Sequence, residues 1–275
     1  MDIIGELMKL FDGNDVAHGK QWLTGETTPK GKLDSNGATM KSPITRPLWQ
    51  RHLDGTYMMG ILPIKPGNRT VKVCIIDVDL YKEQLSPIEV INKFRSKGLK
   101  MIAHRSKSGG LHLIMFLTDW VDAKLAIEKL SMIAAFLSFG THEIFPKQVV
   151  VKEGDYGSFL SLPYFKGNQH LRTAFDYEAK AITNMEDYIN FVHANMYTPE
   201  EFGAIDVRAE QVYPEGPPCL NGILAEDSHE GIRNDTLFNI AIMLRKQFPE
   251  DWEAELEKAN QLLRPPLDAR ELQNV

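Results

Sequence analysis

A chain of 275 residues with 43% hydrophobic and 25% charged residues has room for one large domain or two smaller ones, and its composition excludes a fibrous or disordered protein. Its two cysteines, Cys74 and Cys219, form no CxxC pair, and no apolar stretch approaches the roughly 18 residues of a membrane span, so the expectation is a reduced, cytoplasmic protein with no structural zinc and no membrane association. The net charge of −6 is uneven: residues 201–275 carry 7 Lys and Arg against 15 Asp and Glu, which leaves the first 200 residues at +2 and keeps an anionic partner open for them.

In chain order, Met1 to Phe11 reads as a short amphipathic helix with acidic residues, not as a leader peptide. Val73-Cys74-Ile75-Ile76-Asp77-Val78-Asp79 predicts a buried strand that ends in two carboxylates. Ser86-Pro87-Ile88-Glu89 supplies an N-cap, a first-turn proline and a capping-box glutamate, and Gly98 closes the helix that follows. Lys100 to His104 and Leu111 to Leu117 predict two strands joined by the turn Ser106 to Gly110. Asp122 caps a helix from Ala123 to Leu137 ended by Gly140, Glu143 to Val151 returns as a strand, and Phe159 to Phe165 adds an extended piece. The sum is an α/β core with a mixed sheet. A helix over Glu186 to Ala194 and a helix start at Thr198-Pro199 follow, and Tyr213 to Pro218 reads as a linker. Beyond it come helices over Asn234 to Lys246 and Glu250 to Leu263 and a third starting near Asp268, an acidic appendage expected to continue past Val275. The expected organisation is a core over residues 1–205, a linker over 206–222 and a helical domain over 223–275.

The carboxylate pair carries the chemistry. Residues i and i+2 of a strand face the same side, so Asp77 and Asp79 project together while Val78 faces the core. An ionised pair at the end of a buried strand is costly unless a cation sits between the two, and oxygen-only ligation suits Mg2+ or Mn2+. Glu143 is the best third carboxylate for a two-metal site, with Glu153 and Asp155 as competitors in a looser loop; the plain alternative is a solvated strand-start residue. His112 alternates with Leu111 and Leu113 and shares a face with Ile114 and Phe116, which also suits a structural histidine. The turn before it, Arg105-Ser106-Lys107-Ser108-Gly109-Gly110, holds the inventory of an anion site: backbone N–H groups, hydroxyls and two cations. From Val90 to Thr118 there are six cations (Lys93, Arg95, Lys97, Lys100, Arg105, Lys107) and no acid, which suits a phosphate-bearing ligand or simply a solvated helix face.

Asp77-Val78-Asp79, Ser108-Gly109-Gly110-Leu111-His112 and Glu143-Ile144-Phe145-Pro146-Lys147-Gln148, in this order, resemble the archaeo-eukaryotic primase superfamily, and more narrowly the primase-polymerases of phages, mobile elements and TOTE conflict systems. Asp15-Val16-Ala17-His18, His52-Leu53-Asp54-Gly55, Gly60-Ile61-Leu62-Pro63 and Leu162-Pro163-Tyr164-Phe165 support the likeness. Past the linker, Glu230 to Phe238 with Asn260 and Pro265-Pro266-Leu267 is similar to the helical domain that follows such catalytic cores. The resemblance implies an RRM-like sheet with an accessory N-terminal unit. It implies that Asp77, Asp79 and Glu143 hold two Mg2+ or Mn2+ ions and that Arg105, Ser106, Ser108, Gly109, Gly110, His112 and Lys147 meet the triphosphate of an incoming nucleotide. The implied activity is template-directed nucleotidyl transfer on single-stranded DNA, as a primase or DNA polymerase in phage or mobile-element replication in a bacterial host, with a helicase as a further partner. Two rivals stand beside it: a metal-dependent nuclease, disfavoured because Glu143 and Lys147 are too widely spaced, and a non-catalytic nucleic-acid-binding module with Trp22, Trp49, Tyr57 and Tyr164 as stacking platforms.

Overall fold

The computed structural model describes residues 1–28, 33–67, 69–78, 86–107, 109–137, 139, 143–152, 154–166, 172–207, 212–213, 215–224 and 228–275. Asp79, Ser108, Gly140 and Glu153 lie outside the described residues. The chain divides into two compact units, residues 1–131 with 142–205 and residues 132–141 with 206–275.

The larger unit begins with α1 (Ile3–Leu10), β1 (His18–Thr27), β2 (Leu33–Met40), α2 (Arg46–Leu53) and β3 (Met58–Ile61). Asp2 caps α1 by accepting from the Gly5 N–H (3.1 Å), and Leu7 and Leu10 turn inward. There follow β4 (Thr70–Val78), α3 (Pro87–Arg95), β5 (Ile102–Arg105), β6 (Leu111–Asp122), α4 (Ala123–Phe136), whose residues from 132 on are counted with the smaller unit, and β7 (Glu143–Phe145). The expected caps are present: the Ser86 N–H donates to the Glu89 carboxylate (3.1 Å), and Asp122 Oδ1 accepts from Lys124 N (2.8 Å) and Leu125 N (3.3 Å). The unit closes with β8 (Leu160–Ser161), β9 (Ala174–Phe175), β10 (Ala181–Ile182), α5 (Met185–Ala194) and α6 (Pro199–Ala204).

Among the described residues β4 to β7 form two interlocked split β-α-β units. The larger sheet runs β10-β9-β5-β6-β4-β7, so β6 lies between β4 and β5, which α3 joins, and β4 lies between β6 and β7, which α4 joins. This is the ferredoxin-like order of RRM-type sheets. The expected mixed sheet is antiparallel at each strand pair because the crossovers skip a neighbour; one isolated parallel bridge, Leu117 to Tyr197, stands outside the ladder. Alternation explains the run of apolar residues in β4. Val73 and Ile75 join a core with Ile114, Phe116, Phe145, Trp49 and Tyr188, while Cys74, Ile76 and Val78 are fully buried toward the other face. Val90, Ile91 and Phe94 of α3 and Ala126 and Leu130 of α4 are buried as well.

The second sheet, β2-β1-β3-β8, was not foreseen from sequence. Its middle is a patch without side chains: a Cβ on Gly19 of β1, Gly37 of β2 or Gly60 of β3 would come within 3.0 Å of the Phe159 ring. Those glycines make a seat for Phe159, and Gly60 also lies against the Leu160 carbonyl. Gly60→Ala is expected to lower stability by about 2 kcal/mol through overpacking, read as a lower midpoint in urea unfolding. An unchanged midpoint would mean that Phe159 does not need its seat.

Two expected extended segments are shorter than the sequence suggested. The strand from Glu143 stops at Phe145, since Pro146 has no N–H to donate to a ladder, and the segment from Phe159 forms a strand over Leu160–Ser161, with the Leu162 N–H still donating to the Met59 carbonyl (2.9 Å).

The smaller unit holds α7 (Pro218–Leu224), α8 (Arg233–Gln247), α9 (Trp252–Asn260) and α10 (Ala269–Leu272). Leu220, Leu237, Ile240, Leu244, Leu256 and Leu263 pack together within it. Asp268 caps α10, and the buried Asn260 side chain holds both the N–H and the C=O of Leu267 at 2.8 Å.

Candidate active site

One register row of the larger sheet gathers the polar residues. Asp77 of β4 pairs with His112 of β6 on one side and with Glu143 of β7 on the other, and His112 pairs in turn with His104 of β5. Paired residues on antiparallel strands project from the same face with Cβ atoms about 5 Å apart, so two carboxylates and an imidazole stand side by side. Beneath them the same face carries the apolar pairs Ile75–Ile114 and Ile75–Phe145. His112 Nε2 lies 3.4 Å from Asp77 Oδ1, and both side chains are largely buried, at 12% and 18% exposure. Glu143 is more open and takes Lys147 Nζ at 2.8 Å.

His104 stands in the row but serves the core. Its Nε2 is 2.9 Å from the Tyr188 hydroxyl, and burial pushes its pKa down to about 3, which keeps the ring neutral. Burial likewise raises the pKa of the Cys74 thiol, so it stays protonated.

These residues line a cleft of about 450 Å3. One wall comes from the larger sheet and its loops: Asp77, His112, Glu143, Lys107 and Lys147. The other comes from the second sheet and its approach: Gln21, Gly37, Phe159 and Ser161. A chain of hydrogen bonds ties the second wall to the first. Ser161 Oγ donates to Gln21 Oε1 (2.5 Å), Gln21 Nε2 donates to Ser35 Oγ (3.1 Å), and the Lys107 ammonium donates to the same Ser35 hydroxyl.

Four of the residues expected at the site thus meet: Asp77, His112, Glu143 and Lys147. The turn before His112 is folded on itself. Ser106 N donates to the Gly110 carbonyl (2.8 Å) and Gly109 N to the Ser106 carbonyl (3.3 Å), while Gly109 takes a φ of +88° that favours glycine. Ser106 is buried, and Arg105 packs over the Phe175 ring with Nη1 toward the Gly109 carbonyl (3.4 Å). Neither Arg105 nor Ser106 lines the cleft; Lys107 is the cation that this turn sends there. Asp155, the competing carboxylate, accepts from Tyr156 N (2.7 Å) and Gly157 N (3.2 Å) in an exposed loop and is not among the lining residues.

Two cations of the basic stretch have partners within the fold. Lys100 binds Glu201 (3.1 Å), and the Arg95 guanidinium lies 4.5 Å from the Tyr177 ring centre. Sequence reasoning missed Gln21, Ser161 and Phe159, although the glycines of β1, β2 and β3 signalled a close approach. Trp49 and Tyr164, read as possible stacking platforms, are core residues at 1% and 3% exposure.

The donor set suits a hard cation. Two carboxylates at adjacent register positions offer the oxygen ligands that Mg2+ and Mn2+ prefer. Among the described residues no group of three or more His, Cys, Asp and Glu side chains is drawn together tightly enough to enclose a metal, and Asp79 falls outside them.

The archaeo-eukaryotic primase domain of TOTE conflict systems matches residues 13–199 as a family. No curated protein matches the chain. Among solved structures, the AEP domain (PP-N190) of the primase-polymerase of cyanophage S-2L matches at 9% identity, over 70% of this chain and 97% of that one, with a TM-score of 0.39. No helix among the described residues is long and apolar enough to cross a membrane.

Proposed function

This chain belongs to the archaeo-eukaryotic primase domain family of TOTE conflict systems, and from that membership and the polar row we propose that it is a template-directed nucleotidyltransferase, a DNA primase-polymerase acting on single-stranded DNA and nucleoside triphosphates. The observation that carries the reading is the register alignment of Glu143, Asp77 and His112 across three strands at the wall of a cleft.

In this reading Asp77 and Glu143, with Asp79 two residues beyond Asp77, hold two Mg2+ or Mn2+ ions. Bound there, the ions supply Lewis-acid polarisation of phosphoryl oxygens and neutralise charge on the leaving pyrophosphate. The chain's own residues position the reactants. Lys107 and Lys147 face the same cleft and offset the negative charge of the triphosphate, and His112, held 3.4 Å from the Asp77 carboxylate, donates to a phosphate oxygen. Arg105, Ser106, Gly109 and Gly110 shape the turn that delivers Lys107 and His112, and Ser108 is proposed to meet the triphosphate there. The 3'-hydroxyl oxygen of the acceptor attacks the α-phosphorus, the bond from that phosphorus to the bridging oxygen breaks, and pyrophosphate leaves as the hydroxyl proton passes to solvent.

The test supplies the purified chain with single-stranded DNA, labelled nucleotides and Mg2+ or Mn2+, with and without a primer. New or lengthened chains are the expected result. No synthesis, or shortening of the DNA when nucleotides are withheld, would overturn the reading, the latter in favour of a nuclease.

A further inference from the structure

A second depression, of about 250 Å3, lies beside the cleft, and Gln21 of β1 lines both. Lys20 and Trp22 alternate with Gln21 along β1, so their side chains leave the strand on the side away from Phe159. There Trp22 stands 44% exposed next to Tyr57. Two cations attend the Tyr57 ring: Lys20 Nζ lies 5.2 Å and the Arg51 guanidinium 5.0 Å from its centre. The buried Met58 and Phe165 also line the depression. The buried Arg172 donates to Met58 Sδ (3.2 Å) and lies 5.5 Å from the Phe165 ring centre. Among the described residues none that lines it is acidic.

The occupant that matches these features has flat apolar faces and negative charge in one strand. An exposed indole gains most from stacking, and cations beside a lining that holds no acid among the described residues attract phosphates. We propose that this depression binds single-stranded nucleic acid, with a base stacked on Trp22 and the adjacent phosphates held by Lys20 and Arg51. The inference rests on the nucleotidyltransferase reading in one respect: the strand bound here is the template, which passes Gln21 to enter the cleft.

The test is fluorescence anisotropy of a labelled oligothymidylate titrated with the full chain, across a series of salt concentrations. Trp22→Ala is expected to weaken binding by roughly tenfold, and Trp22→Phe, which keeps a flat ring, to recover most of it. The Lys20→Ala, Arg51→Ala pair is expected to weaken binding and to reduce the slope of affinity against salt by about two phosphate contacts. Oligothymidylate bound equally well by wild type and Trp22→Ala, or not bound at all by wild type, would overturn the proposal. Its failure is separable from that of the enzymatic reading: synthesis by a Trp22→Ala chain with undiminished affinity sinks only this site, whereas binding that depends on Trp22 without any synthesis sinks only the enzyme.

Discussion

Asp77→Asn is expected to lower nucleotide incorporation by roughly three orders of magnitude, about 4 kcal/mol of transition-state stabilisation. Asparagine has nearly the shape of aspartate, so the register of β4 between β6 and β7 and the apolar pairs beneath it are retained. What disappears is one negative charge at the centre of the row, between His112 and Glu143. A neutral amide cannot offset a divalent cation, and Glu143, already engaged by Lys147, is left as the row's one carboxylate among the described residues. Stability is expected to move by no more than about 1 kcal/mol, since the amide keeps the shape of the carboxylate and removes the cost of a largely buried charge. Primer extension and urea unfolding, run side by side on the variant, separate the two effects. Incorporation within tenfold of wild type would show that Asp77 does not hold a catalytic cation.

The β4 to β7 core was legible because each of its elements announces itself locally. Ser86 with Glu89 and Asp122 are caps whose side chains satisfy N–H groups within three residues, and the buried β4 run has nowhere to go but a sheet centre. The motif residues of that core could be named, but their meeting is a matter of strand order. Nothing local to Glu143 says that it pairs with Asp77, because that neighbour relation depends on α4 returning the chain to the far side of β4. The second wall of the cleft was harder still. β1 reads His-Gly-Lys-Gln-Trp-Leu-Thr-Gly-Glu-Thr, a polar and glycine-containing sequence with poor strand propensity, and it holds its place through cross-strand pairing and the Phe159 ring seated on its glycine. Long-range packing of that kind leaves only indirect marks in sequence, here three glycines spaced across three strands. A count of cations is equally blind to such partners: Lys100 pairs with Glu201 and Arg95 lies against the Tyr177 ring.

The chain is also expected to lose about 4 kcal/mol of stability between pH 7 and pH 5, through two buried histidines. His52 Nδ1 accepts from the Met59 N–H (3.0 Å) while Nε2 donates to the Pro163 carbonyl (2.8 Å), an arrangement that only the neutral ring can make. Burial, with a small contribution from Arg172, pushes its pKa down to about 4; burial, with His112 nearby, pushes that of His104 down to about 3. In the unfolded chain both rings titrate near 6.5. Below that value the unfolded state takes up protons that the folded state refuses, so stability is fully present above pH 6.5 and falls as the pH drops, until about pH 4 for His52 and about pH 3 for His104. Each ring costs about 2 kcal/mol at pH 5 on that basis. The measurement is the urea midpoint at the two pH values for wild type and for His104→Gln, whose neutral amide can still meet Tyr188. The variant should start less stable at pH 7 yet lose about half as much on acidification. A loss equal to that of wild type would shift the acid sensitivity to other groups and remove His104 as a titrating element of the core behind the polar row.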